Sequence, residues 1–353
     1  MSLLLTRMQN LRDAAPMYQS AEWRNGRWGA LTAALRMTAS PTGIVNPGLA
    51  EKALASIGRT LEIPVIDYDR NVTIGNVRTV TIPDDENTSR MIAVTFATFS
   101  WGFTMVPTNF INNEIGYQQD FNRKGQKYLD RFFDAVENLV LAKLDADKSL
   151  VLRDNLGKYA MTAGTVVVPD DRKDEFVGDL DVLQRGNDYY GVPTVIGTNS
   201  LDSHVRNRLI EKGMYNEVDK TYQYANKIWY FTNRMTDAAG KTSTGYILDG
   251  DAIGMLFRVE AEALMQTKTE VQGYQWDLDT VPGYPDMPLG LMYYQSVGDQ
   301  SGLTGAASAH NTRAHKEHFG FSVDIAVLTP YISDRANEPS PILAFEVERP
   351  ATA

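Results

Sequence analysis

The feature that most limits what this chain can become is a proline-free stretch from about Asn113 to Lys148. Within it Phe121, Tyr128, Leu129, Phe132, Val136, Leu139, Val140 and Leu144 recur at helical spacing, while Asp120, Lys124, Lys127, Asp130, Asp134 and Glu137 fall on the other side. Asn112 or Asn113 can cap the start, and Glu114 complements the positive end of the helix dipole. Such a helix runs on the order of 50 Å at 1.5 Å per residue. No heptad is sustained, so a coiled coil is not expected and the apolar stripe must find another partner. Phe121, Leu129, Phe132, Val136 and Leu139 are its predicted core residues.

The surroundings of this helix differ in texture. Residues 1–60 are rich in Ala, Arg and Gly, with short helical stretches such as Gly29 to Met37 broken by Pro16, Pro41 and Pro47. They read as an extended N-terminal arm with little core of its own. Residues 61–108 read as strands: Thr73 and Val77 to Ile82 are β-formers, and Met91 to Phe103 alternates. The polar cluster Pro83 to Ser89 lies between them, so a long antiparallel hairpin is expected, with Asp84, Asp85 and Glu86 at its tip. A ribbon of two strands is marginally stable alone, which makes a neighbouring subunit a candidate support.

Residues 109–157 hold the long helix. From 158 to 305 short apolar strands alternate with polar loops and helices: strands at Val192 to Gly197, Lys227 to Arg234 and Leu289 to Ser296, and a helix at Asp202 to Val218. Residues 306–353 close with a strand at Phe319 to Leu328, alternating Phe321, Val323, Ile325 and Val327, and another at Ile342 to Val347. The fold class is α+β.

Composition removes several functional classes. There is no cysteine, so disulfides and thiolate metal sites are excluded. The apolar run at Leu3 to Leu5 is too short for a signal peptide, and no window approaches a membrane span. The net charge is −10, yet in the first sixty residues Arg7, Arg12, Arg24, Arg27, Arg36, Lys52 and Arg59 face only Asp13, Glu22 and Glu51. Such an arm can reach a negatively charged surface, nucleic acid or a neighbouring subunit, whereas the acidic body is a poor nucleic-acid binder.

Taken in order, a basic arm, a long hairpin, one very long amphipathic helix, an α+β module and a closing strand pair resemble the major capsid proteins of tailed bacteriophages, the Hong Kong 97-like fold. Tyr117 to Ala146 looks like the spine helix of that family. Lys227 to Phe231 followed by Gly245 to Gly254 is similar to its A-domain, and Pro288 to Tyr294 with His318 to Asp324 resemble the late strands returning into its P-domain. On this resemblance residues 1–60 are the N-arm, 61–108 the E-loop, 109–157 and 306–353 the P-domain, and 158–305 the A-domain. It implies a non-enzymatic subunit that self-assembles into hexamers and pentamers around double-stranded DNA, built in host bacterial cytoplasm. A decoration or portal protein is a further possible partner; no cofactor, metal or membrane is implied. Asp84, Asp85 and Glu86 would then touch neighbours, and Arg7, Arg12, Arg24, Arg27 and Arg36 would lie at subunit contacts or the inner surface. Some relatives cross-link a hairpin lysine to a neighbour's asparagine; no lysine occurs between Lys52 and Lys124, so that chemistry is unavailable here. No maturation cleavage is expected, since about sixty residues before the hairpin leave little room for a scaffold segment. Alternatives are an encapsulin-like compartment shell and an unrecognised hydrolase.

Other motifs are weak. Ala239 to Ser243 ends like a phosphate loop, but Met235 stands where the first glycine belongs, so a turn is expected. His310, His315 and His318 have metal-ligand character, with a subunit contact the preferred reading. Asp277, Asp279 and Asp286 lack calcium-loop spacing and read as a solvated loop. Of the aromatic groups, Trp229-Tyr230-Phe231 is expected in the core and Phe96, Phe99, Trp101 and Phe103 at a subunit interface.

Overall fold

A computed structural model describes residues 3–20, 27–41, 43–56, 60–67, 88–110, 116–211, 222–224, 227–250, 252–266, 274–299, 313–332 and 334–349. The chain opens with helices α1 (Leu3–Ala14), α2 (Gly29–Thr38) and α3 (Pro47–Ala55). Strands β1 (Leu61–Asp67) and β2 (Thr88–Val94) pair antiparallel, and β3 (Ala97–Met105) follows. Helix α4 spans Tyr117–Asp147, 31 residues, or about 46 Å. Next come β4 (Ala160–Thr162), β5 (Thr165–Val168), α5 (Lys173–Gly186), β6 (Thr194–Thr198), α6 (Asn199–Glu211), β7 (Tyr222–Tyr224), β8 (Lys227–Thr232) and β9 (Lys241–Leu248). The chain then runs through β10 (Gly254–Arg258), the single turn α7 (Ala261–Leu264), β11 (Gln275–Val281), β12 (Tyr284–Asp299), β13 (Arg313–Leu328) and β14 (Ile342–Glu348).

Two larger sheets lean on α4. The first has seven strands in the order β4-β5-β14-β9-β6-β8-β7. Phe176 and Leu180 of α5 and Leu201 and Val205 of α6 pack over Val195, Trp229, Ile247 and Phe345. Neighbouring positions Ile196, Tyr230, Tyr246 and Ala344 point the other way and join the cluster built on α4, as the two-residue period of a strand requires. The second sheet runs β10-β13-β12-β11, with β3 on the far side of β13. Its alternating Phe319, Phe321, Val323, Ile325 and Val327 face the α4 cluster, together with Phe121, Leu129, Phe132 and Val136. Leu139 is half-buried against the same cluster. No described helix is long and apolar enough to cross a membrane.

Several expectations are corrected. Met91 to Phe103 is not one strand: β2 ends at Val94, and β3 leaves the ribbon to pair with β13. Thr73 and Val77 to Ile82 lie outside the described residues. Sheet membership also divides the chain differently from the expected ranges. Strands β10, β11 and β12 fall before residue 305 yet sit with β13, whereas β14 joins the seven-stranded sheet between β5 and β9. Alternation shows that a strand has a buried face but not which sheet supplies the cover. Helix α4 begins at Gly116 without a side-chain cap; Asn112 and Asn113 lie outside the described residues.

The largest correction concerns the arm. Met8, Leu11, Tyr18, Trp28, Leu31 and Met37 are all buried in the α4 cluster. The polar side of α4 receives them. Tyr18 donates to Asp130 at 3.0 Å, and the Trp28 indole N–H donates to Asp134 at 2.9 Å, which also pairs with Arg234 at 2.7 Å. One turn further, Glu137 is fully buried and accepts the backbone N–H groups of Ala30 at 3.0 Å and Leu31 at 2.6 Å. A carboxylate at a helix N-terminus meets unpaired donors and the positive end of the dipole. Close approach makes this docking possible. A methyl on Gly29 would stand 2.3 Å from the Phe231 carbonyl oxygen, and one on Gly125 2.9 Å from Leu11.

Burial pushes the Glu137 carboxyl up to about 7, against the hydrogen bonds from Leu31, Thr232 and Ala30, with Asp134 adding to the rise. A raised carboxyl binds its proton more tightly in the folded state. Its contribution is therefore complete below about pH 4.5 and is lost as pH rises through about 7. Urea unfolding at pH 4.5 and pH 8 should show the parent losing on the order of 3 kcal/mol relative to Glu137→Gln; parallel pH profiles would exclude Glu137 as the source. Gly29→Ala should lower stability by about 1–3 kcal/mol through overpacking against β8, read from the urea midpoint.

Candidate assembly surface

Among the described residues the ribbon of β1 and β2 pairs with no third strand. Its base is anchored, where Leu61 packs with Val45, Ala53, Leu256 and Ala326 and Ile63 and Val94 pack against that cluster. Between the ribbon and the body lies a groove of about 900 Å³. Ile63, Ile92 and Val94 form one wall, and Leu139, Ile325 and Val327 the other. Asp147 closes one end, held by Lys143 at 2.8 Å and Arg335 at 3.3 Å. Met91 on the ribbon is an apolar side chain left 57% exposed by the described residues.

A second ribbon comes from the far ends of β12 and β13. Past Glu317, where β3 stops, Ser296 to Asp299 and Arg313 to Lys316 pair, among the described residues, only with each other. Val297 there is 71% exposed. Tyr190 and Val192, just before β6, are similarly bare. None of these was singled out from sequence, because an isolated Val or Tyr beside a polar loop carries no sign of exposure.

The predicted site residues divide. Asp84, Asp85, Glu86 and Arg24 lie outside the described residues. Arg7 donates to Gln118 and stacks over the Tyr117 ring at 4.6 Å. Arg12 pairs with Asp279 and donates to the Thr280 carbonyl at 2.8 Å. Arg27 sits 3.7 Å from Asp130 and over the Trp28 ring, and Arg36 donates to the Tyr230 hydroxyl at 3.1 Å. These four guanidinium groups thus have partners within their own chain.

The aromatic group is also corrected. Phe99, Trp101 and Phe103 pack on α4, with Trp101 4.6 Å from Phe132 and Phe103 5.2 Å from Phe121. They belong to this subunit's core, because β3 joins the large sheet instead of the ribbon. Phe96 lines the groove, under the Arg258 guanidinium. Trp229, Tyr230 and Phe231 are buried on β8.

The other chemical candidates are occupied structurally. His318 bonds Thr104 at 2.9 Å and Ser296 at 2.7 Å through its two ring nitrogens, and burial pushes its pKa down. His315 is three residues along the same strand, so it faces the other side of the sheet; His310 lies outside the described residues. Asp277 and Asp279 are on β11 and Asp286 is on β12, strands where a loop was expected. Gly240 takes a left-handed turn, φ +80°, into β9. Among the described residues no group of three or more His, Asp or Glu side chains is placed to hold a metal.

Arg12 reaches from α1 to β11, so Arg12→Ala should cost about 1.5–3 kcal/mol and open the first helix to protease before the body unfolds. Cleavage at the parental rate would show that the contact does not hold α1.

No protein-family model and no curated protein matches the sequence. Among solved structures the chain is similar to the capsid of a native GTA particle, at 11% identity over 91% of both chains, TM-score 0.43. It is similar to Mycobacterium phage Bobi, at 11% identity over 92% of this chain and 91% of that one, TM-score 0.43. Against the capsid of the cyanophage P-SCSP1u the figures are 11%, 83% and 84%, and 0.41.

Proposed function

We propose that this chain is a shell subunit, a major capsid protein of the tailed-bacteriophage type, assembling as hexamers and pentamers around double-stranded DNA. The observation that carries the reading is a well-packed body from which two two-stranded ribbons project, one over an apolar groove of about 900 Å³. Isolated ribbons are weak elements, and exposed apolar grooves invite a partner. A repeating shell gives both a use, since each subunit supplies ribbons and receives its neighbours'.

The arm has a smaller part than its charge suggests. Its helices are docked on the subunit's own α4, and Arg7, Arg12, Arg27 and Arg36 have partners there. Contacts between subunits therefore rest on the ribbons, and enclosure of DNA does not need the arm as a tether. The lysine-free stretch from 53 to 123 keeps this shell non-covalent at the hairpin.

Negative-stain microscopy of the purified full chain tests the reading: closed particles of uniform size are expected, and a monodisperse 39.3 kDa monomer at every concentration would sink it. Nuclease-protected DNA in particles from infected cells separates a phage head from an encapsulin-like compartment. Met91→Asp should leave subunit stability within about 0.5 kcal/mol, as surface changes do, yet lower particle yield.

A further inference from the structure

We propose that the free edge of β3 accepts an extended segment from a second copy of this chain as an added strand. The inference rests on the shell reading and names where one neighbour pairs. Strand β3 runs nine residues in unbroken register with β13, from Ala97↔Ile325 to Met105↔Glu317, and among the described residues it pairs on that side only. Its sequence, ATFSWGFTM, has no charge and no proline, and no bulge interrupts it. Natural edge strands are normally shortened, charged, bulged or covered to prevent pairing.

The other border strands of the described sheets carry such devices. Strands β4 and β7 are three residues long. Strand β10 has five residues and ends in Arg258. Strand β11 carries Asp277 and Asp279, is interrupted by a register shift after Thr280, and has Arg12 on the Thr280 carbonyl. In the small ribbon β1 contains Glu62 and Pro64, and β2 contains Arg90. Strand β3 alone among these is long, neutral and unbroken.

Both faces beside this edge are shaped to take side chains. A strand laid along β3, about 4.8 Å away, would send successive side chains to opposite faces. On one face lies a trough of about 450 Å³, floored by Gly102, Gly320 and Ser322 and walled by Trp276, Tyr294 and His318. A methyl on Gly102 would stand 2.7 Å from the Phe319 carbonyl oxygen, so the floor stays bare. On the other face, at the Ala97 end, the edge opens into the apolar groove of about 900 Å³. Backbone pairing with alternate pockets is the arrangement by which a sheet edge recruits an extended segment. The occupant is a second copy because this chain already displays two-stranded ribbons, and an uncharged edge left open would otherwise aggregate.

Amide hydrogen exchange, measured on the full chain as dispersed subunits and as particles, tests this. In subunits, the outward amides of residues 97–105 should exchange freely, alternating with those bonded to β13. In particles the outward set should slow at least about tenfold, as ladder bonds require. Ser100→Lys should leave the subunit fold intact by circular dichroism and remove both particles and protection. Particles in which these amides exchange as in subunits would overturn the proposal while leaving the shell reading standing. Protection already present in dispersed subunits would overturn it too, because the chain's own segments would then cover the edge. If no particles form under any condition, both inferences fall together.

Discussion

A buried carboxylate organises the first third of this molecule. Glu137 sits on α4 with its two oxygens directed at the first turn of α2, and the Asp134 and Asp130 side chains extend that row by one and two turns. Remove the row, and the first turn of α2 loses the acceptors for its N–H groups, while Tyr18 and Trp28 lose the carboxylates that orient them. With it, Trp28 and Tyr18 are seated within ring contact of Phe133, and α2 reaches β8 closely enough to need Gly29. The carboxyl is costly to ionise there, yet leaving two backbone N–H groups without acceptors in a dry site would also be costly.

Because its acidic side is covered by the arm, α4 is a central post, packed against the N-terminal helices, both larger sheets and the aromatic residues of β3. That arrangement explains how so long a helix is tolerated without a coiled-coil partner. It also ties sheets made from distant segments into one core: β14 comes from the last residues of the chain, yet it lies between β5 and β9. The features left outside this core are ribbons, a groove and one bare sheet edge. Rigidity at the centre and unpaired strands at the margins suit a part that is finished only by its neighbours.

Much of the architecture was legible before any coordinates. The 3.6-residue period located α4, of which Phe121, Leu129, Phe132 and Val136 lie in the cluster and Leu139 at its margin, and the two-residue period from Phe319 to Val327 identified the inward face of β13. The burial of Trp229, Tyr230 and Phe231 followed from their strand spacing. One misreading has a local cause. The apolar alternation shifts phase there, from Ile92, Val94 and Phe96 to Phe99, Trp101 and Phe103, and this shift, passed over in the hairpin reading, marks the exchange of partner between Val94 and Ala97. The aromatic residues of β3 were accordingly placed on the ribbon and at an interface, when they are core.

By itself, the sequence determined periodicity: where the chain must be helix, where it must be strand, and which stripe of each needs cover. It also determined what is chemically missing, namely cysteine and any hairpin lysine. Tertiary structure alone decided what supplies each cover. Glu137 looks like one more solvated acid until Ala30 and Leu31, more than a hundred residues earlier, arrive with unpaired N–H groups. The basic arm looks like a tether until its arginines find acids and amides on its own body. Local pattern records the need for a partner, because hydrophobic and charged groups carry that need wherever they are. Identity of the partner depends on which distant segments meet, and only the closed chain shows that.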